Sequence, residues 1–296
     1  MLRGLTRSLG AWGALAEARL GSSGSSSAAT TWAPAWAAMQ RAGFASEAGE
    51  EFKRAVRNAP PRSLAFQRQP AEELAAEVER GFAVKALLTL GGYYSRESRH
   101  MRAAQRLYVA VVEQAVASPF LHAMGIPAEF QQQHSSLCLH IWLLLVRLRG
   151  EGKDGKQLAQ LLYDDFQTDV EDRARKAGVR VRLQTTLTEL EKQFYGSSMA
   201  YDKAVAGGEP LDKALLRNVY LLDESKAADA RLLEAYVRRE MACLAQTPSE
   251  AVMAGNVKFS AEGLPPADAA TAAAAGGGAA TDGSGAAAAP AADGAA

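Results

Sequence analysis

The chain has 296 residues, 48% of them hydrophobic, which is enough to bury a core in one or two domains. Its 33 basic and 33 acidic residues cancel, so the composition excludes a protein that binds nucleic acid through an overall positive charge. Any basic surface must therefore be local. The two cysteines, Cys138 and Cys243, offer no CxxC motif and no Cys/His metal spacing, so we expect reduced thiols in the core.

The first 46 residues are rich in Ser and Ala and carry four arginines but only one acid. On a helical wheel, Arg3 and Arg7 lie opposite the apolar side chains of the segment. An acid-poor amphipathic N-terminus of this kind is typical of mitochondrial or chloroplast transit peptides. We therefore predict that residues 1–46 are a transit peptide, removed near residues 41–46, and that residues 47–70 form a linker.

Residues 70–246 show helical periodicity, few prolines and no strand-like alternation. The pattern predicts an all-α fold, with a single compact helical domain over residues 71–247 and disordered extensions at both ends. About seven helices are expected, at 71–90, 97–117, 128–149, 155–177, 183–195, 211–222 and 226–246.

The second predicted helix carries a basic row. Arg99, Arg102 and Arg106 fall within about 60° of one another on the wheel, and the apolar side chains lie opposite. A row of guanidinium groups suits phosphate in RNA or lipid headgroups, or an acidic protein. Basic runs are also common on solvated helix faces, so both interpretations stay open.

The third predicted helix contains "LCLHIWLLLV", in which His140 is the one polar residue. A membrane span needs about 20 apolar residues, and this run is shorter and is bounded by glutamines and arginines. We predict a fully buried central helix. His140 is interpreted as a hydrogen-bonded core histidine, because a single histidine without a second ligand carries little metal signal.

The fourth predicted helix is acidic, with the sequence "LLYDDFQTDVEDRARKAG". Asp165, Asp169 and Asp172 form a ridge along one side of its apolar face. Asp169 precedes Arg173 by four residues, a spacing that stabilises a helix by a few tenths of a kcal/mol. We therefore interpret Asp165, Asp169, Asp172 and Arg173 as structural or partner-contact residues.

A second interpretation of these acids is enzymatic. Asp165 and Asp169 have the DxxxD spacing with which an isoprenoid-synthase type of helical enzyme binds magnesium and a diphosphate. Such a site needs a second acidic motif on a facing helix, and the candidate, "DESKAAD", has aspartates at 223 and 229 that share no helix face. GxSxG, P-loop and GxGxxG motifs do not occur, and no cofactor or metal site is predicted otherwise.

The C-terminal residues 248–296 are expected to form a disordered tail. From residue 265 onward the sequence is nearly all Ala, Gly, Pro, Asp, Ser and Thr. Without a large apolar side chain it cannot offset the entropy lost on ordering.

Four motifs, read in chain order, resemble the ubiquinol–cytochrome c chaperone family. They are "LHIWLLLVRLR", "LLYDDFQTDVEDRARKAGV", "FYGSSMAYDKAV" and "ALLRNVY", and the resemblance covers about residues 82–240. Its most specific part is a combination of three elements in chain order: Asp165, Asp169-Val170 and Asp172-Arg173, then Phe194-Tyr195-Gly196, then Tyr201-Asp202.

The resemblance implies an all-α, non-enzymatic assembly factor of mitochondrial respiratory complex III that uses no cofactor. Members of the family bind newly made cytochrome b together with a small partner protein, and in fungi they dock near the tunnel exit of the mitochondrial ribosome. The implied location is peripheral, on the matrix side of the inner membrane, and DNA is not an implied partner. Arg99, Arg102 and Arg106 are the candidates for contact with the ribosome or the membrane.

Several aromatic residues lie in or near the predicted helix breaks, namely Tyr93, Tyr94, Phe194, Tyr195 and Tyr201. They either line a groove for the client protein or pack in the core, and core packing is the commoner fate of such residues.

Overall fold

The computed structural model describes residues 44–66, 95–179, 181–262 and 264, with the backbone alone for residues 44–48. This part of the chain is helical, and its β-structure is limited to one isolated antiparallel bridge between Ala65 and Val257. The all-α fold class is therefore confirmed. The helices are α1 (Phe44–Asn58), α2 (Arg96–Ala115), α3 (Ser118–Ala123), α4 (Phe130–Leu148), α5 (Gly152–Lys176), α6 (Leu183–Val205), α7 (Leu211–Asn218), α8 (Ala227–Gln246) and α9 (Ser249–Met253).

Helix α4 is the centre of the core. Residues 137–144 are buried on all sides, because α2, α5, α6 and α8 pack around the helix. A helix that is apolar all round is stable only when it is covered in this way. The predicted central helix is thus observed, and in the described part of the chain no helix is long and apolar enough to cross a membrane.

His140 is a hydrogen-bonded core residue, as predicted. Its Nδ1 lies 2.8 Å from the carbonyl oxygen of Ser136 and its Nε2 lies 3.0 Å from the hydroxyl of Tyr236. Because a carbonyl only accepts, Nδ1 carries the proton and Nε2 accepts from Tyr236. Burial lowers the pKa of His140 to about 4, so the imidazole is neutral at physiological pH.

Helix α5 packs between α2 and α4 through a face that repeats every four residues, with Leu158, Leu162, Phe166 and Val170 buried. The helix starts directly beneath the end of α4. A Cβ atom on Gly155 would lie 2.2 Å from the carbonyl oxygen of Leu148, so this approach requires glycine.

Two helix boundaries differ from the prediction. Helix α6 does not end at residue 195 but continues through "GSS" to Val205, because its buried face continues past Gly196 with Ser197, Tyr201 and Ala204. Tertiary packing overrides the helix-breaking tendency of the glycine. The helix expected at 211–222 ends at Asn218, and the one expected at 71–90 lies outside the described residues.

The residues that follow α2 also differ from the prediction. No helix was predicted between residues 117 and 128, but Ser118-Pro119 opens the short helix α3 there. Proline is compatible with the first turn of a helix, where its missing N–H needs no partner.

The domain is wider than residues 71–247. The segment expected as a linker contains α1, whose Phe52 and Val56 are buried against α3 and α8. The segment expected as the start of a disordered tail contains α9 and then buries Val257 and Phe259. The two segments meet each other, since Lys258 N donates to Leu64 O and Phe66 N donates to Asn256 O, both over 3.0 Å. Both segments are ordered because they bury apolar side chains in the core. They are short and largely polar, so the sequence alone did not indicate this burial.

Candidate interaction surfaces

Asp169 connects two helices. Its Oδ2 accepts a hydrogen bond of 2.5 Å from the Tyr108 hydroxyl on α2 and pairs with Arg173 one turn further along α5. Burial and then the carboxylate of Asp169 raise the pKa of Tyr108, so the phenol remains a donor. The ion pair expected from the sequence is formed, and Tyr108 is an additional partner that the spacing could not indicate.

The other two acids of the ridge behave differently. Asp165 is half-buried and makes no side-chain hydrogen bond or ion pair within the described residues. Burial, and then the neighbouring Asp164, raise the pKa of Asp165 to about 6. Asp172 is exposed on the surface of α5. The sequence pattern placed the three acids together, but only Asp169 is part of a network.

The geometry does not assemble the second half of a magnesium site. Asp223 accepts a hydrogen bond of 3.0 Å from Ser225 N at the start of a short 3-10 helix, and Asp229 pairs with Lys226 at 3.2 Å. Asp169, which a diphosphate site needs free, is bound by Tyr108 and Arg173. In the described ranges no group of three or more His, Cys, Asp or Glu residues is placed to hold a metal ion.

The arginine row of α2 forms one wall of a cleft of about 600 Å³, which we call the basic cleft. The start of α5 and the short helix α9 form the rest of it. Arg106 is fixed in place, because its Nη1 donates to the carbonyl oxygen of Ala254 over 3.0 Å. The lining residues are Arg96, Arg99, His100, Arg102, Arg106, Glu151, Asp154, Glu250, Met253 and Ala254.

Two of the acids in the basic cleft are neutralised locally. Asp154 pairs with Arg96, and Glu151 pairs with Arg147 while accepting a hydrogen bond of 2.7 Å from Ser249. Burial, followed by the charges of Arg96 and Arg99, lowers the pKa of His100. His100 therefore adds no positive charge at physiological pH, and Asp154 and Glu151 are each paired with an arginine.

Helix α6 exposes an apolar pair that we call the α6 patch. Met199 is 72% exposed and Tyr195 is 51% exposed, and their spacing of four residues places them on the same face. The ring of Tyr195 rests on Tyr163 and Phe194, with centroids 6.0 and 5.5 Å away. Rigid aromatic side chains therefore support a flexible, polarisable methionine at the surface.

The aromatic residues singled out in the sequence have different locations. Phe194 and Tyr201 are core residues, Tyr195 is on the surface, and Tyr93 and Tyr94 lie outside the described residues. Met199 was missed, because the sequence was interpreted as a break at Gly196. Helical periodicity continued through the glycine would have placed Met199 beside Tyr195.

A second apolar surface follows α7, and we call it the leucine loop. Leu221 and Leu222 have φ angles of 53° and 65°, and their side chains are 49% and 62% exposed. Bulky residues seldom adopt this left-handed conformation, and such strain collects at functional sites. The loop is held by Leu222 N donating to Leu216 O over 3.0 Å and by Tyr220 donating to Met124 O over 2.7 Å.

Asp202, in the family-like "YD" pair, has a clear structural role. Its carboxylate accepts a hydrogen bond of 2.9 Å from the indole N–H of Trp142 and two of 2.9 Å from Arg149. Burial alone would raise the pKa of Asp202, but the contacts with Arg149 and Trp142 together outweigh it, so the pKa lies below its ordinary value. These hydrogen bonds fix α6 to the end of α4. The role of Asp202 in the "YD" pair is therefore to hold the two helices together.

Comparison with known proteins identifies what this arrangement is similar to. A family model described as "Ubiquinol-cytochrome C chaperone" matches residues 122–259. The match includes Val257 and Phe259, in agreement with their burial in the core. The arginine row of α2 precedes the matched residues, so the family match carries nothing over to it.

Individual relatives agree with the family match. Ubiquinol-cytochrome c reductase complex assembly factor 1 of Mus musculus is 29% identical over 163 residues, which are 53% of this chain and 54% of that protein. The protein of the same name from Xenopus laevis is 28% identical over 141 residues, 47% of this chain and 70% of the relative. The chain thus spans about half the length of the mouse protein.

A solved structure extends the comparison to the fold. The crystal structure of the Cbp3 homolog from Brucella abortus superimposes with a TM-score of 0.52 at 27% sequence identity. The alignment covers 60% of this chain and 99% of that chain.

Proposed function

We propose, because residues 122–259 match the ubiquinol–cytochrome c chaperone family, that the chain is a non-enzymatic assembly factor that holds newly made cytochrome b for mitochondrial complex III. The observation that carries this proposal is the α6 patch. A chaperone for a membrane protein needs exposed apolar side chains on a rigid support, and Tyr195 and Met199 provide them. Methionine adapts to varied apolar segments, which suits a client that is not yet folded.

The small partner protein of the family is assigned to the leucine loop. Leu221 and Leu222 expose bulky apolar side chains from a strained backbone. A role in binding a partner explains this arrangement better than exposure to solvent does. The exposed acids that follow, Asp223 and Glu224, favour a partner with basic residues around an apolar patch.

The location implied by this function is the matrix side of the inner membrane, as a peripheral protein, reached by way of the transit peptide predicted for residues 1–46. The arginine row of α2 is assigned to a phosphate-bearing surface, which in this location is the ribosome or the membrane.

Client binding is tested by an Asp substitution in the α6 patch. Mitochondrial translation products are labelled in the presence of the tagged chain, and the cytochrome b that co-purifies is measured. Met199→Asp should reduce the captured cytochrome b about tenfold, because burial of a methionine contributes about 1.5–3 kcal/mol. Val181→Asp is the matched control, since Val181 is an exposed apolar residue before α6.

Equal capture of cytochrome b by wild type and Met199→Asp, with unchanged melting temperatures, would contradict the assignment of the client to the α6 patch. Capture that falls equally in the Val181→Asp control would show only a general sensitivity to added negative charge.

A further inference from the structure

Gly196 lies in the middle of α6, where the fold itself does not require a glycine. Its backbone is ordinary right-handed helix, and a Cβ atom added to it would make no packing contact within 4 Å. Gly155, in contrast, is required by the close approach of Leu148 O. A glycine inside a helix is less stable than an alanine, and among the described residues no contact offsets this loss. The bare surface that it leaves permits another backbone to approach closely.

The surface around Gly196 is apolar in the middle and basic at both ends. Met199 is exposed one turn after the glycine. Lys192 and Lys203 are exposed as well, and neither forms an ion pair within the described residues. The four residues fall within about 60° of one another on the helical wheel, and the lysines are about 16 Å apart along the axis of α6. A segment that lies along this face therefore meets apolar surface centrally and a positive charge near each end.

A helical occupant suits this surface better than an extended one. An extended segment needs a sheet edge to pair its backbone N–H and C=O groups, and β-structure in the described residues is limited to one isolated bridge. A helix pairs these groups internally and can cover an apolar face without losing hydrogen bonds. Glycine at a helix contact lets the two backbones pack closely, which increases the van der Waals contact between them.

We propose that the α6 patch binds a segment of the client as an α-helix that crosses α6 at Gly196. The class of ligand is an apolar helix of about three turns with acidic side chains near its ends, opposite Lys192 and Lys203. This inference rests on the proposed function for the identity of the client. It goes further in assigning the conformation of the bound segment and the close contact at Gly196.

The first test compares alanine substitutions at two helix glycines in the cytochrome b capture assay. Gly196→Ala should raise the melting temperature by about 2 °C, because alanine favours the helix and has open space. It should also reduce the captured cytochrome b about tenfold, because the added methyl group separates the two backbones. Gly49→Ala is the matched control, since Gly49 is a glycine of α1 whose added Cβ likewise meets nothing within 4 Å. It should raise the melting temperature and leave capture unchanged.

Three outcomes of this comparison would overturn the proposal. The first is wild-type capture by Gly196→Ala. The second is an equal loss of capture in Gly49→Ala, which would mean that the effect does not depend on the place of the glycine. The third is a lower melting temperature for Gly196→Ala, which would mean that the fold itself requires Gly196.

The second test determines the conformation of the ligand with a defined probe. The full chain is titrated in detergent micelles into a labelled 20-residue Leu-Ala peptide with one Glu near each end. Wild type and Gly49→Ala should bind this peptide equally, and Gly196→Ala about tenfold more weakly. The same peptide with two central prolines cannot remain helical and should bind wild type about tenfold more weakly. Equal binding of the two peptides would overturn the helical contact.

A second copy of this chain is the alternative occupant of the surface. Sedimentation of wild type as a dimer that Gly196→Ala converts to a monomer, with peptide binding unchanged, would overturn the proposal in favour of self-association. Failure of the inference is distinguishable from failure of the proposed function. If Met199→Asp loses cytochrome b and Gly196→Ala retains it, the client site stands and the contact at Gly196 fails. If wild type captures no cytochrome b but peptide binding still depends on Gly196, the client assignment fails and the helical contact stands.

Discussion

Among single residues, Asp169 is the acid whose loss we expect to cost the most stability. Asp169→Asn keeps the size of the side chain but removes the charge that pairs with Arg173 and weakens the acceptor for Tyr108. Because both members of the ion pair are mostly buried, we expect the free energy of unfolding to fall by about 2–3 kcal/mol. Urea unfolding of the two proteins measures the difference.

The matched control for Asp169 is Asp164→Asn on the same helix. Asp164 is exposed and accepts a hydrogen bond of 2.8 Å from Gln160, one turn away. Its substitution should change the free energy of unfolding by less than about 0.5 kcal/mol. A similar decrease in the free energy of unfolding for both variants would mean that the network with Tyr108 does not contribute more to stability than a surface hydrogen bond.

Asp165→Asn, in contrast, should stabilise the protein at neutral pH. The pKa of Asp165 is raised to about 6 by burial, above the ordinary value of 3.8. The folded state therefore holds the proton more tightly than the unfolded state, and this stabilisation is lost as pH rises from about 4 to 6. At pH 7 the half-buried charge costs about 1 kcal/mol, with allowance for solvent screening, and the amide removes that cost.

Unfolding measured from pH 4 to pH 8 tests this expectation. The advantage of Asp165→Asn should be near zero at the acid end and constant above about pH 6 to 7. An advantage that does not change with pH would mean that the carboxylate is not the cause. The same samples with added Mg²⁺ test the enzymatic alternative, which predicts a melting temperature that rises with the metal in wild type and not in the variant.

At the scale of the helices, the sequence predicts those helices whose extent is set by apolar periodicity. It does not predict helix ends that depend on burial against residues distant in the chain. The central helix α4 was predicted because its run of apolar residues needs cover on every side. The end of α6 was misplaced because Gly196 reduces local helix propensity, whereas Tyr201 and Ala204 are buried on the same face beyond it. Because the predicted helix ended at residue 195, the sequence did not place Met199 beside Tyr195, and the α6 patch was not predicted.

The interaction surfaces were predicted less completely than the helices. The arginine row was visible because three guanidinium groups share one wheel sector. The cleft was not visible, because its other wall comes from α9, about 150 residues later in the chain. The leucine loop was not predicted, because helical periodicity indicates neither the left-handed backbone at Leu221 and Leu222 nor the hydrogen bond from Tyr220 to Met124 O.

The leucine loop gives a prediction in which stability and binding separate. Asn tolerates the left-handed conformation better than Leu, so Leu221→Asn should keep or raise the free energy of unfolding by up to about 1 kcal/mol. The same change removes an exposed apolar contact, so recovery of the small partner protein from mitochondria with the tagged chain should fall.

Arg182→Asn is the control for strain at this loop. Arg182 also has a left-handed φ, of 58°, but its substitution removes no apolar side chain. It should relieve strain and leave partner recovery unchanged. Full recovery of the partner by Leu221→Asn would contradict the assignment of the leucine loop.

At the scale of the whole molecule, the interaction surfaces lie on different elements. The basic cleft is formed by α2, the start of α5 and α9, whereas the α6 patch lies on α6 and the leucine loop follows α7. Contacts made by the arginine row therefore do not use the side chains assigned to the client. A substitution in one of these surfaces therefore tests the role of that surface without changing the residues of the others.

The final prediction concerns where the folded domain ends. Glu262 pairs with both Arg62 and the buried Arg239, each over 2.6 Å, and Ser260 N donates to the buried Glu240 over 3.2 Å. Deletion of residues 256–296 removes these partners together with Val257 and Phe259. Losing the partner of a buried charge costs about 3–5 kcal/mol, a large part of the stability of a domain. We expect this deletion to lower the melting temperature by more than about 10 °C.

Deletion of residues 265–296 is the matched comparison, because it retains every contact just named. It should leave the melting temperature within about 2 °C of the full chain. Phe259→Ala in the full-length chain separates loss of packing from loss of chain, and it should cost about 3–5 kcal/mol on its own. If the 256–296 deletion melts like the full chain, the segment after α9 is not part of the core, and the domain ends near residue 247 as the sequence alone predicted.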